Sequence, residues 1–206
     1  MMRICLLSLG TAILTILLVI SGIQPFDRTT WWLEVTPVLI AIPLLFVTYK
    51  TFPLTHLLYV LIFCHAIVLI VGGTYSYARV PFGFEIAQWF DLDRNPYDKI
   101  GHFMQGFVPA IVAREILIRN HILAKGKMLS FIVICIVLAI SATYELIEWA
   151  AALLLGQGAE EFLGTQGDEW DTQSDMFFAL IGSIMALLLL SKSHDRQIAN
   201  LMHENE

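Results

Sequence analysis

Six long apolar runs, joined by short polar segments, constrain the fold of this chain more than any other feature. Of its 206 residues, 57% are hydrophobic and only 15% are charged, whereas ordinary soluble domains carry about 25% charged residues. A helix needs roughly 20 apolar residues to cross a bilayer. The sequence therefore predicts an all-α polytopic membrane protein, with residues 1–206 in one integral membrane domain. The six predicted spans are 4–23, 31–49, 55–73, 98–118, 128–155 and 175–190.

The positively charged residues predict how this domain is oriented. An even number of spans puts both termini on the same side of the membrane. Eight of the 12 Lys and Arg residues fall on that side and four on the other. Cytoplasmic loops carry the excess of Lys and Arg, so we expect both termini in the cytoplasm. The apolar runs make the lipid bilayer the expected partner, whereas the net charge of −6, with no basic patch, indicates no nucleic acid.

The connection over residues 74–97 mixes aromatic side chains with charged ones. That mixture is typical of a segment lying at the membrane interface, where amphipathic rings sit at headgroup level. We expect a short helix there, near Phe84 to Phe90. A plain solvated loop is the alternative.

Three pairs of polar residues interrupt the apolar runs near their ends. The members of each pair are three or four residues apart, so they share one helix face. Asp171 meets this condition if the sixth helix begins before its predicted span. With both termini cytoplasmic, all three pairs fall on the outer side of the membrane. The pairs are Asp98 with His102, Glu145 with Glu148, and Asp171 with Asp175.

Depth in the membrane favours a shared pocket for these pairs. A rise of 1.5 Å per residue puts Glu148 about 9 Å and Glu145 about 14 Å inside the fifth helix, and His102 about 5 Å inside the fourth. An ionised group near the bilayer centre costs about 3 kcal/mol or more unless it faces a cavity or a partner. We therefore expect the two glutamates to point into the bundle, towards an outward-opening polar pocket.

Such a pocket fits a divalent metal ion. Histidine with several carboxylates suits Mg²⁺, Mn²⁺, Zn²⁺ or iron, and helical bundles build metal centres from such inward-facing side chains. A metal ion would also relieve the repulsion among the acids. The sequence contains no stringent metal-binding signature such as HExxH. The candidate ligands are Asp98, His102, Glu145, Glu148, Asp171 and Asp175.

Two other readings of the same residues stay open. One is metal-free acid–base chemistry, with His102 and Glu145 as the catalytic pair. The other is purely structural, with Lys99, Arg94 or Arg79 pairing with the acids so that the network locks the helices together.

A few further positions carry simpler expectations. Glu34 lies one turn into the second span, near headgroup depth, and Arg114 is expected to snorkel to the surface. His65, in the middle of the third span, is expected to make an interhelical hydrogen bond. Gly106 and Gly182 are expected to permit close helix approach.

At the polar pairs, the chain resembles a family of bacterial inner-membrane proteins of unknown function, typified by YjdF. The resemblance covers nearly the whole chain and implies a location in the bacterial cytoplasmic membrane. It is carried by the segments YDKIGHFMQGFVPA, SATYELIEWAAA and LGTQGDEWDTQSDMFFALIGS.

The pattern is also similar, more distantly, to VanZ-like proteins. Those have an Asp-Lys-x-x-His-Phe segment, then an acidic helix, then an Asp that precedes a Gly-containing final helix. They are linked to glycopeptide tolerance. The matching residues are Asp98, Lys99, His102 and Phe103, then Glu145 or Glu148, then Asp175 with Gly182.

The primary functional hypothesis is a metal-assisted hydrolase or transferase acting on a lipid or envelope substrate. A lipid-linked substrate would enter laterally, with Arg79, Arg94 and Lys99 contacting an anionic headgroup. The alternative is a small transporter, or an ion- or proton-binding protein, in which the buried glutamates carry protons or cations.

Overall fold

The computed structural model describes residues 2–155 and 165–203, and the regular secondary structure of that part of the chain is entirely helical. A 3₁₀ turn, Tyr77–Arg79, lies between the third and fourth of seven α-helices. The seven are α1 (Met2–Ser21), α2 (Arg28–Thr48), α3 (His56–Tyr75), α4 (Pro81–Phe90), α5 (Tyr97–Arg119), α6 (Lys127–Leu155) and α7 (Asp171–His203).

Four of the described helices, α2, α3, α6 and α7, are long and apolar enough to cross a membrane. The described part of α1 contributes a shorter apolar stretch, Leu6–Ser21. Helix α5 falls outside the set; its 23 residues include five charged ones, together with His102 and Gln105. An all-helical membrane fold is therefore confirmed, and the count of six spans stays a prediction.

Helix α5 lies at the centre of the bundle, in contact with α3, α6 and α7. It runs parallel to α7. Near the start of both helices, Lys99 bonds Asp171, and near their ends Arg114 bonds Asp195. Polar contacts between α5 and α7 thus occur at both ends of the pair.

Two glycines allow α5 and α7 to approach so closely. A Cβ atom on Gly106 of α5 would overlap the carbonyl oxygen of Ala179, and one on Gly182 of α7 would overlap that of Phe103. Small residues at a membrane helix interface allow this kind of backbone contact. The expected packing role of both glycines is confirmed.

Between its two polar ends, the bundle is filled by a layer of buried apolar side chains. The layer is formed by hydrophobic residues of α3, α5, α6 and α7. We call these residues the apolar layer: Leu58, Ala110, Ile111, Val133, Val137, Ala179 and Ala186.

Asn95 fixes the start of α5 against α4. Its Nδ2 atom donates to the carbonyl oxygen of Val80, just before α4, and its Oδ1 atom accepts from the Tyr97 N–H. Gly83 has no side chain and so leaves room for the Asn95 amide. The backbone of Asn95 also exchanges two hydrogen bonds with the Gln166 side chain, which ties the approach to α7 to the same point.

Several boundaries differ from the predicted spans. Helix α2 begins at Arg28 because the Asp27 carboxylate caps it, accepting from the Thr30 N–H at 2.7 Å. That hydrogen bond from the backbone also holds the pKa of Asp27 below its ordinary value. Helix α7 begins at Asp171 and continues to His203, well past the predicted end at 190. Residues 156–164, between the fifth and sixth predicted spans, lie outside the described residues.

The connection over residues 74–97 contains the expected short helix, because α4 spans Pro81–Phe90; its location at the membrane interface stays a prediction. Proline at its first turn suits a helix start, where the missing N–H has no helical partner. Its large rings are exposed, including Phe82, Phe84, Trp89 and Phe90.

Candidate functional site

A group of charged side chains lies where α5 and α7 begin, with Lys99 at its centre. The Lys99 Nζ atom is 2.7 Å from Asp171 Oδ1 and 2.6 Å from Asp175 Oδ1, and Asp98 Oδ2 is 3.7 Å away. Helix α6, which runs antiparallel to α5, brings two glutamates to the same end. We call this group the acidic cluster: Arg94, Asp98, Lys99, His102, Glu145, Glu148, Asp171 and Asp175.

The His102 ring has a different environment on each nitrogen. Its Nδ1 atom is 3.1 Å from Gln105 Oε1, so Nδ1 carries the proton that this acceptor requires. Its Nε2 atom faces Asp98 Oδ1 at 3.5 Å and Asp175 Oδ1 at 3.8 Å. In the neutral ring this nitrogen is an acceptor that faces only acceptors. A proton or a metal ion is therefore needed between the imidazole and the two carboxylates.

The geometry of these three side chains is compatible with a metal ion. One ligand atom each from Asp98, His102 and Asp175 lies within 4.8 Å of the other two, and all three residues are buried. Tetrahedral coordination with bonds of about 2.1 Å would space the ligand atoms about 3.4 Å apart. The observed 3.5 and 3.8 Å separations are close to that value.

The acidic cluster also has unsatisfied atoms. Over the described residues, Asp98 Oδ2 and Glu145 Oε1 are buried oxygens without a hydrogen-bond partner, and the latter is 3.8 Å from His102 Nδ1. Buried polar atoms of this kind are rare in folded proteins and call for a bound water, an ion or a functional reason.

The balance of charges around His102 also indicates that protons or a bound cation are needed. Glu34 adds a sixth carboxylate close to the five of the acidic cluster. Arg94, Lys99 and a protonated His102 would supply three positive charges at most. The remaining negative charge has to be neutralised by protons or by a bound cation, because isolated buried carboxylates are too costly.

A cavity of about 170 Å³ lies beside His102, inside the bundle. Glu34, expected near headgroup depth, is only 4% exposed and lines this cavity instead. It accepts a hydrogen bond from the Tyr144 hydroxyl at 3.3 Å. We call this space the inner cavity; its polar lining is Glu34, His65, Tyr77, Asp98, His102, Gln105, Tyr144 and Glu148.

A larger cleft of about 740 Å³ lies between α4, α5 and the start of α7. Arg94 and Lys99 lie on its polar side, and Phe103 and Phe178 belong to its apolar wall. Arg94 also bonds Asp168 and Asp171, at 2.8 and 3.0 Å. We call this space the outer cleft.

The structure brings together most of the residues that the sequence singled out. Asp98, Glu145 and Asp175 surround the His102 imidazole, Asp171 joins them through Lys99, and Glu148 lines the inner cavity. Arg79 lies elsewhere, with its guanidinium carbon 4.3 Å from the centre of the Phe26 ring. The metal-binding and catalytic roles of these residues stay predictions.

A second group of charged residues, at the opposite end of α5, was missed by the sequence analysis. Glu115 is fully buried and accepts from the Thr55 backbone and hydroxyl, from Arg119 and from His194, at 2.7 to 3.0 Å. We call this group the Glu115 cluster: Thr55, Arg114, Glu115, Arg119, His194 and Asp195.

The expectation that Arg114 snorkels was wrong. Its side chain is buried and bonds His194 Nδ1 at 3.0 Å and Asp195 Oδ1 at 2.7 Å. Because arginine only donates, Nδ1 of His194 is an acceptor, and its Nε2–H donates to Glu115. Arg114 and His194 thus both donate to acceptors inside the bundle.

Comparison with known proteins identifies the family. The family described as "Predicted membrane protein (DUF2238)" matches residues 6–196. The inner membrane protein YjdF of Escherichia coli (strain K12) is 57% identical over 193 residues, which cover 94% of this chain and 92% of YjdF. The chain belongs to this family.

Membership confirms the first resemblance drawn from the sequence, and it agrees with the apolar helices in indicating a multi-pass protein of the bacterial inner membrane. The more distant resemblance to VanZ-like proteins receives no support from these comparisons. No solved structure matches the chain.

Proposed function

We propose that the acidic cluster binds a divalent metal ion through Asp98, His102 and Asp175. The observation that carries this proposal is the arrangement around His102. Its Nδ1 atom is bonded to Gln105, and its Nε2 atom faces two carboxylate oxygens at 3.5 and 3.8 Å. Metal-bound histidines usually donate their other ring N–H to an oxygen in this way, which fixes the tautomer and the ring orientation.

The chemistry that follows is hydrolysis or group transfer. A divalent metal lowers the pKa of bound water and polarises carbonyl or phosphoryl oxygens. Glu145, whose Oε1 atom has no hydrogen-bond partner and lies 3.8 Å from His102 Nδ1, would accept a proton as general base. Lys99 holds Asp171 and Asp175 in position and keeps one positive charge beside the reacting groups.

The orientation of the pocket follows from six spans. We infer that α1 and α5 also cross the membrane. The charged residues of α5 are confined to its first turn and its last six residues, and those at both ends are paired inside the bundle. With both termini cytoplasmic, the starts of α5 and α7 face outwards, and so does the acidic cluster.

The substrate class follows from the outer cleft. Its volume of about 740 Å³ falls within the roughly 300–1,000 Å³ of ligand pockets. Lys99 lines both this cleft and the acidic cluster, and Arg94 is next to it, while Ile100, Phe103 and Phe178 form an apolar wall. This combination suits an amphiphile with an anionic headgroup, entering from the bilayer beside α4. Arg79 does not line the outer cleft; it ends the 3₁₀ turn that precedes α4.

A second candidate function is a small transporter of cations or protons. The observation that favours it is the inner cavity, which extends from the acidic cluster to His65 in the middle of α3. Against it, the apolar layer separates that cavity from the Glu115 cluster. A transporter would have to open this layer, whereas a lipid enzyme needs access from one side only.

Metal content tests the proposal. The protein is purified in mild detergent without chelators, and bound divalent metal is measured by elemental analysis. Wild type should retain metal, whereas His102→Ala and Asp175→Asn should each lose the ion that the Asp98, His102 and Asp175 side chains hold. Glu85→Gln, on the exposed side of α4, is the matched control and should retain it. A wild-type protein with no bound metal, after incubation with Mn²⁺ or Zn²⁺, would contradict the proposal.

A further inference from the structure

We infer that the Arg94 guanidinium is the binding point for a lipid phosphate in the outer cleft, and that the Asp168 carboxylate occupies this point until the phosphate displaces it. Both residues line the outer cleft. The amphiphilic substrate class comes from the proposed function, on which this step rests. Asp168 would then select against lipids whose headgroup cannot replace a carboxylate on arginine.

The two terminal nitrogens of Arg94 have different surroundings. Nη1 donates to the Thr165 carbonyl oxygen at 2.9 Å and to Asp171 Oδ1 at 3.0 Å, and the Asp171 side chain is buried. Nη2 is 2.8 Å from Asp168 Oδ2, and the side chains of Arg94 and Asp168 are 25% and 31% exposed. Partly exposed ion pairs contribute little to stability, because water solvates both charges once they separate. The contact with Asp168 is therefore the one that an incoming anion can replace at low cost.

The turn that carries Asp168 is held independently of this contact. The Asp168 N–H donates to the Thr165 carbonyl oxygen at 2.9 Å, which closes the turn. The Gln166 side chain exchanges two hydrogen bonds with the backbone of Asn95. Asp168 Oδ1 accepts from the Trp170 N–H at 2.9 Å, so the carboxylate keeps a partner after it leaves the arginine. The exchange therefore does not require the turn to unfold.

Lys99, the other cation of the outer cleft, is held by the acidic cluster. Its Nζ atom lies 2.7 Å from Asp171 Oδ1 and 2.6 Å from Asp175 Oδ1, and all three residues are buried. Breaking a buried ion pair leaves a charge without its partner and costs far more than parting an exposed pair. Arg94 is linked to the proposed metal ligand Asp175 through Asp171 and Lys99, so it is a positioning residue.

A phosphate is well suited to replace the Asp168 carboxylate. The guanidinium group binds carboxylate and phosphate oxygens with the same planar fork of N–H donors. A phosphate monoester carries about −1.5 to −2 charges near neutral pH, so it gains more than a carboxylate from Arg94 and from the nearby Lys99 ammonium. A zwitterionic headgroup brings a positive charge to the same place and gains less.

The apolar wall of the outer cleft favours a lipid over a free phosphate. The wall contains side chains of α4, α5 and α7: Ile86, Ile100, Phe103 and Phe178. The Phe103 ring stacks on Phe107, one turn further along α5, with 5.6 Å between the ring centres. These rings continue the apolar surface from the polar end of the bundle towards its middle. Hydrocarbon buried against them adds affinity that a soluble anion lacks.

Lipid binding without metal tests this inference. Protein in neutral detergent with excess chelator is titrated against a fluorescent phosphatidic acid, and the dissociation constant is measured by fluorescence anisotropy. Arg94→Gln should bind about tenfold more weakly than wild type, because a charge-assisted hydrogen bond is lost. Asp168→Asn should bind about two- to fivefold more tightly, because the competing exposed ion pair is removed. Asp93→Asn, which takes the same charge from the cleft lining, is the matched control and should change the affinity less.

Three results would overturn the exchange or its ligand. Equal affinities of Asp168→Asn and Asp93→Asn, or wild-type affinity in Arg94→Gln, would contradict the role of the ion pair. Phosphatidylcholine that binds as tightly as phosphatidic acid would contradict recognition of the phosphate. Inorganic phosphate that displaces the lipid at equal concentration would show that the apolar wall plays no part. If Arg94→Gln does not fold, the comparison of Asp168→Asn with Asp93→Asn decides.

The metal content of the same wild-type preparation, before chelator is added, separates this inference from the proposed function. A protein that retains metal and binds no phosphatidic acid would overturn the lipid site and leave the metal site intact. A protein that binds phosphatidic acid and holds no metal, even after incubation with Mn²⁺ or Zn²⁺, would overturn the metal site alone.

Discussion

The two ends of α5 hold buried charges in opposite ways. In the Glu115 cluster, one carboxylate receives hydrogen bonds from Thr55, Arg119 and His194. In the acidic cluster, Asp98 and Glu145 each leave one buried oxygen without a hydrogen bond in the described part of the chain. Both clusters join α5 to α7, and both are protected from the bilayer by the surrounding helices.

The two histidines show the difference most clearly. His194 accepts from Arg114 and donates to Glu115, so both ring nitrogens are satisfied. His102 is satisfied on Nδ1 alone, and its Nε2 atom faces carboxylates. This difference supports a structural role for the Glu115 cluster and the proposal that the acidic cluster binds a ligand. A site that must accept a cation cannot also be fully neutralised without it.

The largest effect is expected from breaking the Glu115 cluster. Glu115→Ala leaves Arg119 and the Thr55 groups buried without their acceptor, and breaking one partner of a buried ion pair costs about 3–5 kcal/mol. We expect the unfolding midpoint in detergent to fall sharply, with poor yield. A variant as stable as wild type would contradict the structural role of the Glu115 cluster.

A smaller loss is expected where α5 and α7 touch between the clusters. Gly106→Ala puts a Cβ atom onto the Ala179 carbonyl, and overpacking of this kind costs about 1–3 kcal/mol. Gly10→Ala is the control, because a Cβ atom there meets only ordinary contacts with Phe63 at 3.7 Å. Equal thermal stability of the two variants would argue against the close approach.

Tyr144→Phe should cost about 1 kcal/mol, because it removes one hydrogen bond, to Glu34. Its unfolding midpoint should lie between those of Gly106→Ala and wild type. A loss as large as that of Glu115→Ala would mean that the lining of the inner cavity is also structural.

The smallest effect is expected at Glu145 of the acidic cluster. Glu145→Gln removes a buried negative charge whose Oε1 atom has no hydrogen bond, so chelator-treated protein should lose less than about 0.5 kcal/mol or become more stable. Thermal unfolding of this variant beside wild type, both without metal, measures it. A clear loss of stability would favour the structural reading of the cluster.

Much of the fold and part of the site could be predicted from the sequence, for a physical reason. Hydrocarbon excludes charge, so a carboxylate such as Glu145 inside an apolar run has to face inwards, and the spacing of Asp98 and His102 puts both on one helix face. These arguments use only local sequence and the properties of the bilayer. They predicted that the three polar pairs would converge.

The remaining features depend on tertiary pairing, which local sequence does not contain. His194 and Glu115 are 79 residues apart and meet only because α5 and α7 run parallel. Arg114 was expected at the surface because an arginine near a helix end usually snorkels, yet Asp195 and His194 pair with it inside the bundle. Glu34 was placed at headgroup depth because it lies one turn into the second span. Its hydrogen-bond partner, Tyr144, is 110 residues away and could not be identified from local sequence.

The most direct test of the contrast between the clusters is the change in unfolding midpoint when Mn²⁺ is added to chelator-treated protein. The acidic cluster is predicted to gain stability from the ion, by about 2.7 kcal/mol at 100 times the dissociation constant. Wild type should therefore melt at a higher temperature with Mn²⁺, and His102→Ala should respond much less. An unchanged wild type, or an equal rise in His102→Ala, would contradict the account.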